Sequence, residues 1–298
     1  MTTLRTEQPH PEHARLDELS THDLVDTLLT DQGRAASAVH AAAEQICAAV
    51  SAAVARLEKG GKLVYVGAGT SGRLGLLDSV ELHPTFSWPR ERVAAILAGG
   101  PGAAHGSIEG AEDDRGQAAA DLRAARIGAQ DVVVLLAASG STPYVMSALH
   151  AARAAGALTI GIANNPGSEL ATGAEVGITL DTGPEIISGS TRLKAGTAQK
   201  IALNTFSSAV MVRLNKVYGN LMVDLRPTNA KLVRRAIRLT AIAAGVDEER
   251  ARHALEACEF QVKVAIVAIS RDLDIESARA RLAAAHGSVR AALAKPGR

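Results

Sequence analysis

Two stretches of this chain place hydroxyl side chains among glycines where an apolar run ends. The first is Gly67-Ala68-Gly69-Thr70-Ser71-Gly72, directly after Leu63-Val64-Tyr65-Val66. The second is Ala137-Ala138-Ser139-Gly140-Ser141-Thr142-Pro143, directly after Val132-Val133-Val134-Leu135-Leu136. A strand that breaks into such a turn and continues as a helix aims free backbone N–H groups and the positive end of a helix dipole at one point, which suits an anion. Thr70, Ser71, Ser139, Ser141 and Thr142 add donors that hold a phosphate dianion without burying a cation. Two turns of this kind imply one ligand clasped from two loops. The segment from Gly183 to Lys200, with Ser190, Thr191 and Lys194, is expected to reach the same pocket from a third side.

Gly67, Gly69 and Gly72 also fit the dinucleotide pattern G-x-G-x-x-G. That reading fails one strand later. A dinucleotide site wants an acid for the ribose at the end of the next strand, and Val93-Ala94-Ala95-Ile96-Leu97-Ala98 ends in Gly99-Gly100-Pro101-Gly102 instead. A phosphate site needing no cofactor is the better reading.

The elements that must position these loops follow from periodicity. Residues 1–12 hold two prolines and many polar groups and are expected to be a flexible tail. Ser20 to Thr30 reads as a short helix capped by Ser20, and Ala35 to Lys59 as one long amphipathic helix closed by Gly60-Gly61. After the first strand and turn, a helix is expected from Arg73 to Val80, with Pro84 interrupting continuation past Glu81. Strands at 93–98, 132–136, 158–163 and 176–180 alternate with helices at 117–126 and 144–154. The long loop 99–112 is expected to be flexible. This alternation predicts an α/β fold with a doubly wound parallel sheet covered by helices on both faces. Beyond Asp224 only helical patterns remain, with Asp247 and Asp274 as caps. The expected domains are an N-terminal tail and short helix over 1–34, a sheet domain over 35–226 and a small helical domain over 227–298.

Composition narrows the function classes. The 298 residues carry 32 basic and 31 acidic side chains, a formal charge of +1, so neither nucleic acid nor an acidic membrane surface is an expected partner. No run of about 18 apolar residues occurs and the N-terminus shows no apolar leader, which predicts a cytoplasmic protein. Cys47 and Cys258 make no metal or disulfide pattern and read as small buried apolar residues. The nine histidines lack the i, i+4 pairing of a helix-borne metal site, so no metal is expected.

Six ordered blocks carry a resemblance: GAGTSGRLG at 67–75, EGAED at 109–113, AASGSTPYV at 137–145, NNPGS at 164–168, GSTRLKAGTAQK at 189–200 and GNLMVD at 219–224. Together they resemble the N-acetylmuramic acid 6-phosphate etherases, a family with the sugar isomerase (SIS) fold, over residues from about 16 to near the C-terminus. The glucokinase regulatory protein shares part of the pattern in a longer chain. The resemblance implies cleavage of the D-lactyl ether of N-acetylmuramate 6-phosphate, giving N-acetylglucosamine 6-phosphate and D-lactate. In the open-chain aldehyde the C1 carbonyl acidifies the C2 proton, and the ether on C3 is the β leaving group. Elimination then needs a base at C2 and an acid at the ether oxygen. By the same resemblance Glu81 matches the acid and Glu112 the base. Glu81 follows the helix that starts at the first loop, and Glu112 ends the long loop. The family's usual Cys-Pro after the acid is replaced here by Leu82-His83, which leaves the acid's proton affinity open.

For the phosphate the expected contacts are Gly69, Thr70, Ser71, Ser139, Ser141 and Thr142, with Ser190 and Thr191 on phosphate or sugar. Arg73 is expected to pair with Asp78 on its own helix, and Lys194 is open between substrate and solvent. Two other readings remain: an aldose–ketose phosphosugar isomerase, which needs no acid at a C3 ether, and a non-catalytic phosphosugar-binding regulator. A homodimer is expected, because faces such as Val262, Ile266 and Val267 look apolar enough to need a partner.

Overall fold

The computed structural model describes residues 4–227 and 229–294. The chain forms two compact units, one of Met1–Val80 with Arg90–Ser208, the other of Glu81–Pro89 with Ala209–Arg298.

In the first unit, helices α1 (Thr21–Ala41) and α2 (Ala43–Leu57) lead into β1 (Leu63–Gly67). Then follow α3 (Gly69–Phe86, in this unit as far as Val80), β2 (Val93–Leu97), α4 (Arg115–Ala124), β3 (Val132–Leu136), α5 (Pro143–Ala154), β4 (Leu158–Ala163), α6 (Glu169–Gly173), β5 (Val176–Thr179) and α7 (Lys194–Arg213, in this unit as far as Ser208). The five strands form one parallel sheet in the order β2-β1-β3-β4-β5. Strands β1, β3 and β4 are buried along their whole length, as continuous Val/Leu/Ile runs require when helices cover both faces. Val64, Val66, Val133 and Leu135 pack with Ala118 and Leu122 of α4 and Tyr144, Val145 and Leu149 of α5. With two aromatic residues in every hundred, alanine lets the helices lie close to this sheet.

The second unit contains a two-stranded hairpin, β6 (Val217–Tyr218) and β7 (Leu221–Met222), and helices α8 (Ala230–Ala244), α9 (Glu248–Ala257), α10 (Val262–Arg271), α11 (Ile275–Ala284) and α12 (Val289–Leu293). Asn229, Asp247, Asp274 and Ser288 each accept a backbone N–H at the head of the helix that follows. Val262, Ile266 and Val267 are buried at 2%, 0% and 0% exposure in this unit's own core. Those residues therefore give no reason for a partner.

Several local expectations are corrected. Residues 4–12 are no loose tail: Arg5–Glu7 form a 3-10 turn, Thr6 is fully buried and His10 nearly so. Ser20 does cap a helix, accepting the Asp23 N–H, but that helix runs to Ala41 and the bend of 57° falls at Ala42, where no glycine or proline marks it. Helix α3 begins at Gly69 and carries Pro84 inside it, close enough to its end that only its last turn is affected. Cys47 is exposed, whereas Cys258 is buried. Among the described residues no single helix is long and apolar enough to cross a membrane.

Candidate active site

Strand β1 lies between β2 and β3, and the chain reverses its direction of winding there. Register places Gly67 opposite Leu97 on one side and Leu136 on the other. The connections that follow β2, β1 and β3 therefore leave three neighbouring strand ends together, the crevice where open parallel sheets bind ligands.

The first loop is held by backbone against backbone. A Cβ on Gly67 would stand 2.8 Å from the Gly72 Cα, and one on Gly72 would stand 2.6 Å from the Gly67 oxygen. Only glycine fits either position. Gly69 opens α3 with φ +52° and is exposed, Thr70 is half-buried and Ser71 is buried in the helix's first turn. The Gly72 N–H donates to the Ala68 oxygen at 3.1 Å, and the N–H groups before it in that turn have no partner within the helix, which suits an anion.

The second loop is tied from several sides. The Gly140 N–H donates to the Ala137 oxygen at 3.0 Å and the Leu170 N–H to the Gly140 oxygen at 2.9 Å. A side chain at Gly140 would collide with Ser168 at 2.4 Å. The Ser141 N–H donates to Ser139 Oγ at 3.2 Å, and Ser139 Oγ lies 3.4 Å from Thr142 Oγ1. The Ser139 and Thr142 hydroxyls thus meet in one turn, with Ser141 between them in sequence and Pro143 opening α5 behind them.

Ser190 and Thr191 sit half-buried in the third segment, and its two ends are fixed by buried charge. The Glu185 carboxylate accepts the Lys194 N–H at 3.0 Å and the Ala195 N–H at 2.7 Å, capping α7. Desolvation pushes the Glu185 carboxyl above its ordinary range, while those two N–H groups and Lys194 pull it back. The Lys194 ammonium is 1% exposed and donates to Asp31 Oδ1 at 2.6 Å and to the Pro184 oxygen at 2.8 Å. It is withdrawn from solvent and holds the segment.

Glu112 is exposed in a short turn, Ala111–Asp113, at the end of the loop that follows β2. That loop shares a cavity of about 220 Å³ with the first glycine loop, lined by Ala68, Gly69, Arg73, Ile108 and Glu112 among others. The expected Arg73–Asp78 pair does not form. Arg73 donates through Nε to the Ala103 oxygen at 2.9 Å and through Nη2 to the Gly106 oxygen at 2.8 Å, tying the helix of the first loop to the loop that carries Glu112. Asp78 instead accepts from Tyr65 Oη at 2.6 Å, Asn204 Nδ2 at 2.7 Å and Ser207 Oγ at 3.1 Å. Burial, with Asp78 beside it, raises the Tyr65 phenol well above its ordinary range, so this group stays a donor. Glu81 is exposed on α3, inside the helix rather than beyond its end. Next to it Leu82 is buried at 2%, and the His83 ring Nδ1 stands 3.0 Å from the Trp88 oxygen.

The sequence reading missed the N-terminal strap. Asn165 Nδ2 donates to the Ala138 oxygen of the second loop at 2.9 Å and to Thr6 Oγ1 at 3.0 Å, and its Oδ1 accepts the Thr6 N–H at 3.3 Å. Glu7 rests on Gly189 of the third segment, where a Cβ would meet its carboxylate at 3.1 Å. The second loop and the third segment are therefore both touched by one short stretch whose polar composition suggested none of this. His10, Glu12 and His13 lie within 4.8 Å of one another. The group does not suit a cation: the His10 Nδ1 already accepts the Glu12 N–H, and its Nε2 faces Asp31, which holds the Lys194 ammonium.

The five-stranded parallel sheet and the glycine turns at its strand ends define an SIS-domain protein. The SIS domain model matches residues 115–209, and the model of the glucokinase regulatory protein N-terminal SIS domain matches residues 45–153. A solved structure of an E. coli CFT073 protein shares the fold at TM-score 0.50 and 15% identity, over 68% of this chain and 97% of that one. The Deinococcus radiodurans protein named N-acetylmuramic acid 6-phosphate etherase is 57% identical over 97% of this chain and 95% of its own length. The Cronobacter sakazakii protein of the same name is 48% identical over 98% of each. The chain belongs to the N-acetylmuramic acid 6-phosphate etherase family.

Proposed function

We propose that this protein is a carbon–oxygen lyase that converts N-acetylmuramate 6-phosphate and water to N-acetylglucosamine 6-phosphate and D-lactate. One observation of the site carries the reading beyond family membership: Glu112 lines the same cavity as the first glycine loop, so a carboxylate stands beside the phosphate cradle. Thr70 and Ser71, Ser139, Ser141 and Thr142, and the free N–H groups at Gly69 grip the 6-phosphate, and Ser190 and Thr191 close on phosphate or sugar.

Glu112 takes the C2 proton of the open-chain aldehyde, and electrons move into the C2–C3 bond as the C3–O bond breaks. Glu81 protonates the departing lactate oxygen, because an alkoxide leaves poorly. Water then adds to C3 of the unsaturated aldehyde, giving its proton to Glu81, and C2 recovers a proton from Glu112. Atoms balance with no cofactor. An aldose–ketose isomerase would need the base but not the acid.

Turnover in oxygen-18 water tests the reading: label must appear at C3 of the amino sugar, and lactate must be released unlabelled. Label in lactate would mean attack on the lactyl carbon and would remove the elimination. The setting we propose is the cytoplasm, where cell-wall amino sugar is recycled, with the protein as a homodimer. The pairing, not the setting, is supported by the apolar groove of about 450 Å³ along edge strand β2, lined by Ile96, Leu97 and Pro101, and by the exposed Val25 and Leu29 on α1.

A further inference from the structure

Glu112 can be no better placed than the loop that carries it. Between β2 and α4 the chain turns on Gly99, Gly100 and Gly110, at φ +86°, +70° and +71°. Within the loop the His105 N–H donates to the Gly102 oxygen, the Ala111 N–H to the Ile108 oxygen and the Asp113 N–H to the Gly110 oxygen. Bonds of that span shape single turns and leave the position of the whole loop to contacts from outside. Two helices supply them, and each follows a glycine turn. From α5, Ser147 Oγ donates to the Arg115 oxygen at 2.7 Å and Tyr144 Oη to Asp121 Oδ2 at 2.5 Å, which fixes α4 just beyond the base. From α3, Arg73 donates to the Ala103 and Gly106 oxygens and holds the middle of the loop.

The chemistry of Arg73 suits that part. A guanidinium is a planar fork, so two bonds to carbonyls fix orientation as well as distance. Both bonds go to carbonyls although Glu109 and Glu112 line the same cavity. An arginine paired to a carboxylate makes it a weaker base, whereas one bonded to the backbone holds the loop. Thr70 precedes Arg73 on α3 by three residues, about 4.5 Å of rise, so the loop is tied to the very turn that offers N–H groups to the phosphate.

We propose that Arg73 is a positioning residue that sets the spacing between the bound phosphate and the base, and through it the length of sugar phosphate that is deprotonated. This rests on the part of the reading above that makes Glu112 the base at C2. In an open-chain hexose 6-phosphate six bonds lead from phosphorus to C2, and in a pentose 5-phosphate five. One bond fewer withdraws C2 by about 1.2 Å along an extended chain. A misplacement of about 1 Å costs on the order of 10²-fold in rate. A loop held at one spacing therefore rejects the shorter sugar, and a loosened loop does so less.

Exchange of the C2 proton with deuterated water, followed by NMR at saturating N-acetylglucosamine 6-phosphate, reads the base without the acid. Arg73→Met is expected to slow exchange by about 10²-fold, while the Kd of the same ligand by calorimetry stays within about twofold. With glucose 6-phosphate and ribose 5-phosphate as probes, the preference for the longer sugar should narrow by about tenfold. Arg73→Lys keeps the charge without the fork and should fall between wild type and Arg73→Met in both measurements; it decides by the same two ratios if Arg73→Met does not fold. A Kd that weakens as much as exchange slows would put Arg73 on the phosphate and overturn the inference. Unchanged exchange or an unchanged preference would overturn it too. Wild-type protein that exchanges no C2 proton would remove Glu112 as the base and the inference with it, whereas exchange without lactate release would count against the etherase reading alone.

Discussion

The two units bury different kinds of side chain. In the sheet unit the interior includes Thr6, Asp31, Asp78, Asn164, Asn165, Glu185, Lys194 and Gln199, all nearly inaccessible. In the helical unit the core is Val, Leu, Ile and Ala, with Thr240 and Lys263 its buried polar residues. Burying polar groups costs free energy unless each finds a partner, so the sheet unit gives up stability that an apolar core would have kept. What it gains is position. Asn165 holds the loop after β3, and Glu185, Asp31 and Lys194 hold the segment that leads into α7, while the helical core packs apolar side chains against one another.

That contrast predicts where function and stability separate. The largest effect belongs to Glu112→Gln, which should lower lactate release by about 10²- to 10⁴-fold and abolish exchange of the C2 proton with solvent. The side chain is exposed, so the thermal midpoint should stay where it was. Normal exchange in that variant would move the base elsewhere.

Lys194→Met should come next. It leaves Asp31 and Glu185 buried without their counter-charge and should cost about 3–5 kcal/mol in urea unfolding, while Asp31→Leu with Lys194→Met should recover most of the loss. If the double replacement stayed as unstable as the single one, the pair would not be the reason for the cost. Ile266→Ala, at a fully buried position of the helical core, should cost roughly 2–5 kcal/mol yet leave KM unchanged. A raised KM there would break the separation between the two interiors.

Ser139→Ala with Ser141→Ala should weaken every 6-phosphorylated ligand by about 1.5–3 kcal/mol for each charge-assisted hydrogen bond lost, with little change in folding. Equal weakening for unphosphorylated sugars would assign these hydroxyls to another group. The smallest effect is on pH dependence. Burial, with His13 and Lys194 beside it, holds the His10 imidazole below 6.5, against the pull of Asp31 and Glu12. The unfolded chain then binds the proton more tightly, so stability should fall as pH drops from 6.5 toward the folded value. His10→Gln should flatten that slope in unfolding curves recorded between pH 7 and pH 5.

The strands and the two glycine turns that follow β1 and β3 are legible in the sequence because continuous apolar runs meeting glycine and hydroxyl clusters are local signals. Helix α3 was read too short, since Pro84 argues locally for a stop and only its place in the last turn makes it tolerable. The bend at Ala42 has no composition to mark it. The hairpin at Val217–Tyr218 and Leu221–Met222 and the five-residue α6 are too short to show a period. Lys194 and Arg73 were misjudged for one reason: their partners, Asp31 and the carbonyls of Ala103 and Gly106, lie far off in sequence. Apolar periodicity at Val262 and Ile266 showed that they would be covered, but not by what.

The strap also sets an order of events during synthesis. Thr6 leaves the ribosome 159 positions before its partner Asn165, and Asp31 waits 163 positions for Lys194. At about 5–20 residues per second Thr6 and Asp31 wait on the order of ten seconds for these partners. Contacts so distant along the chain are also slow to close once both ends are present. The sheet can assemble in the meantime from neighbouring strands. The ligand loops are therefore expected to be fastened last, so that a nascent or freshly refolded chain passes through a stage with its strands in place and its binding site still unlatched.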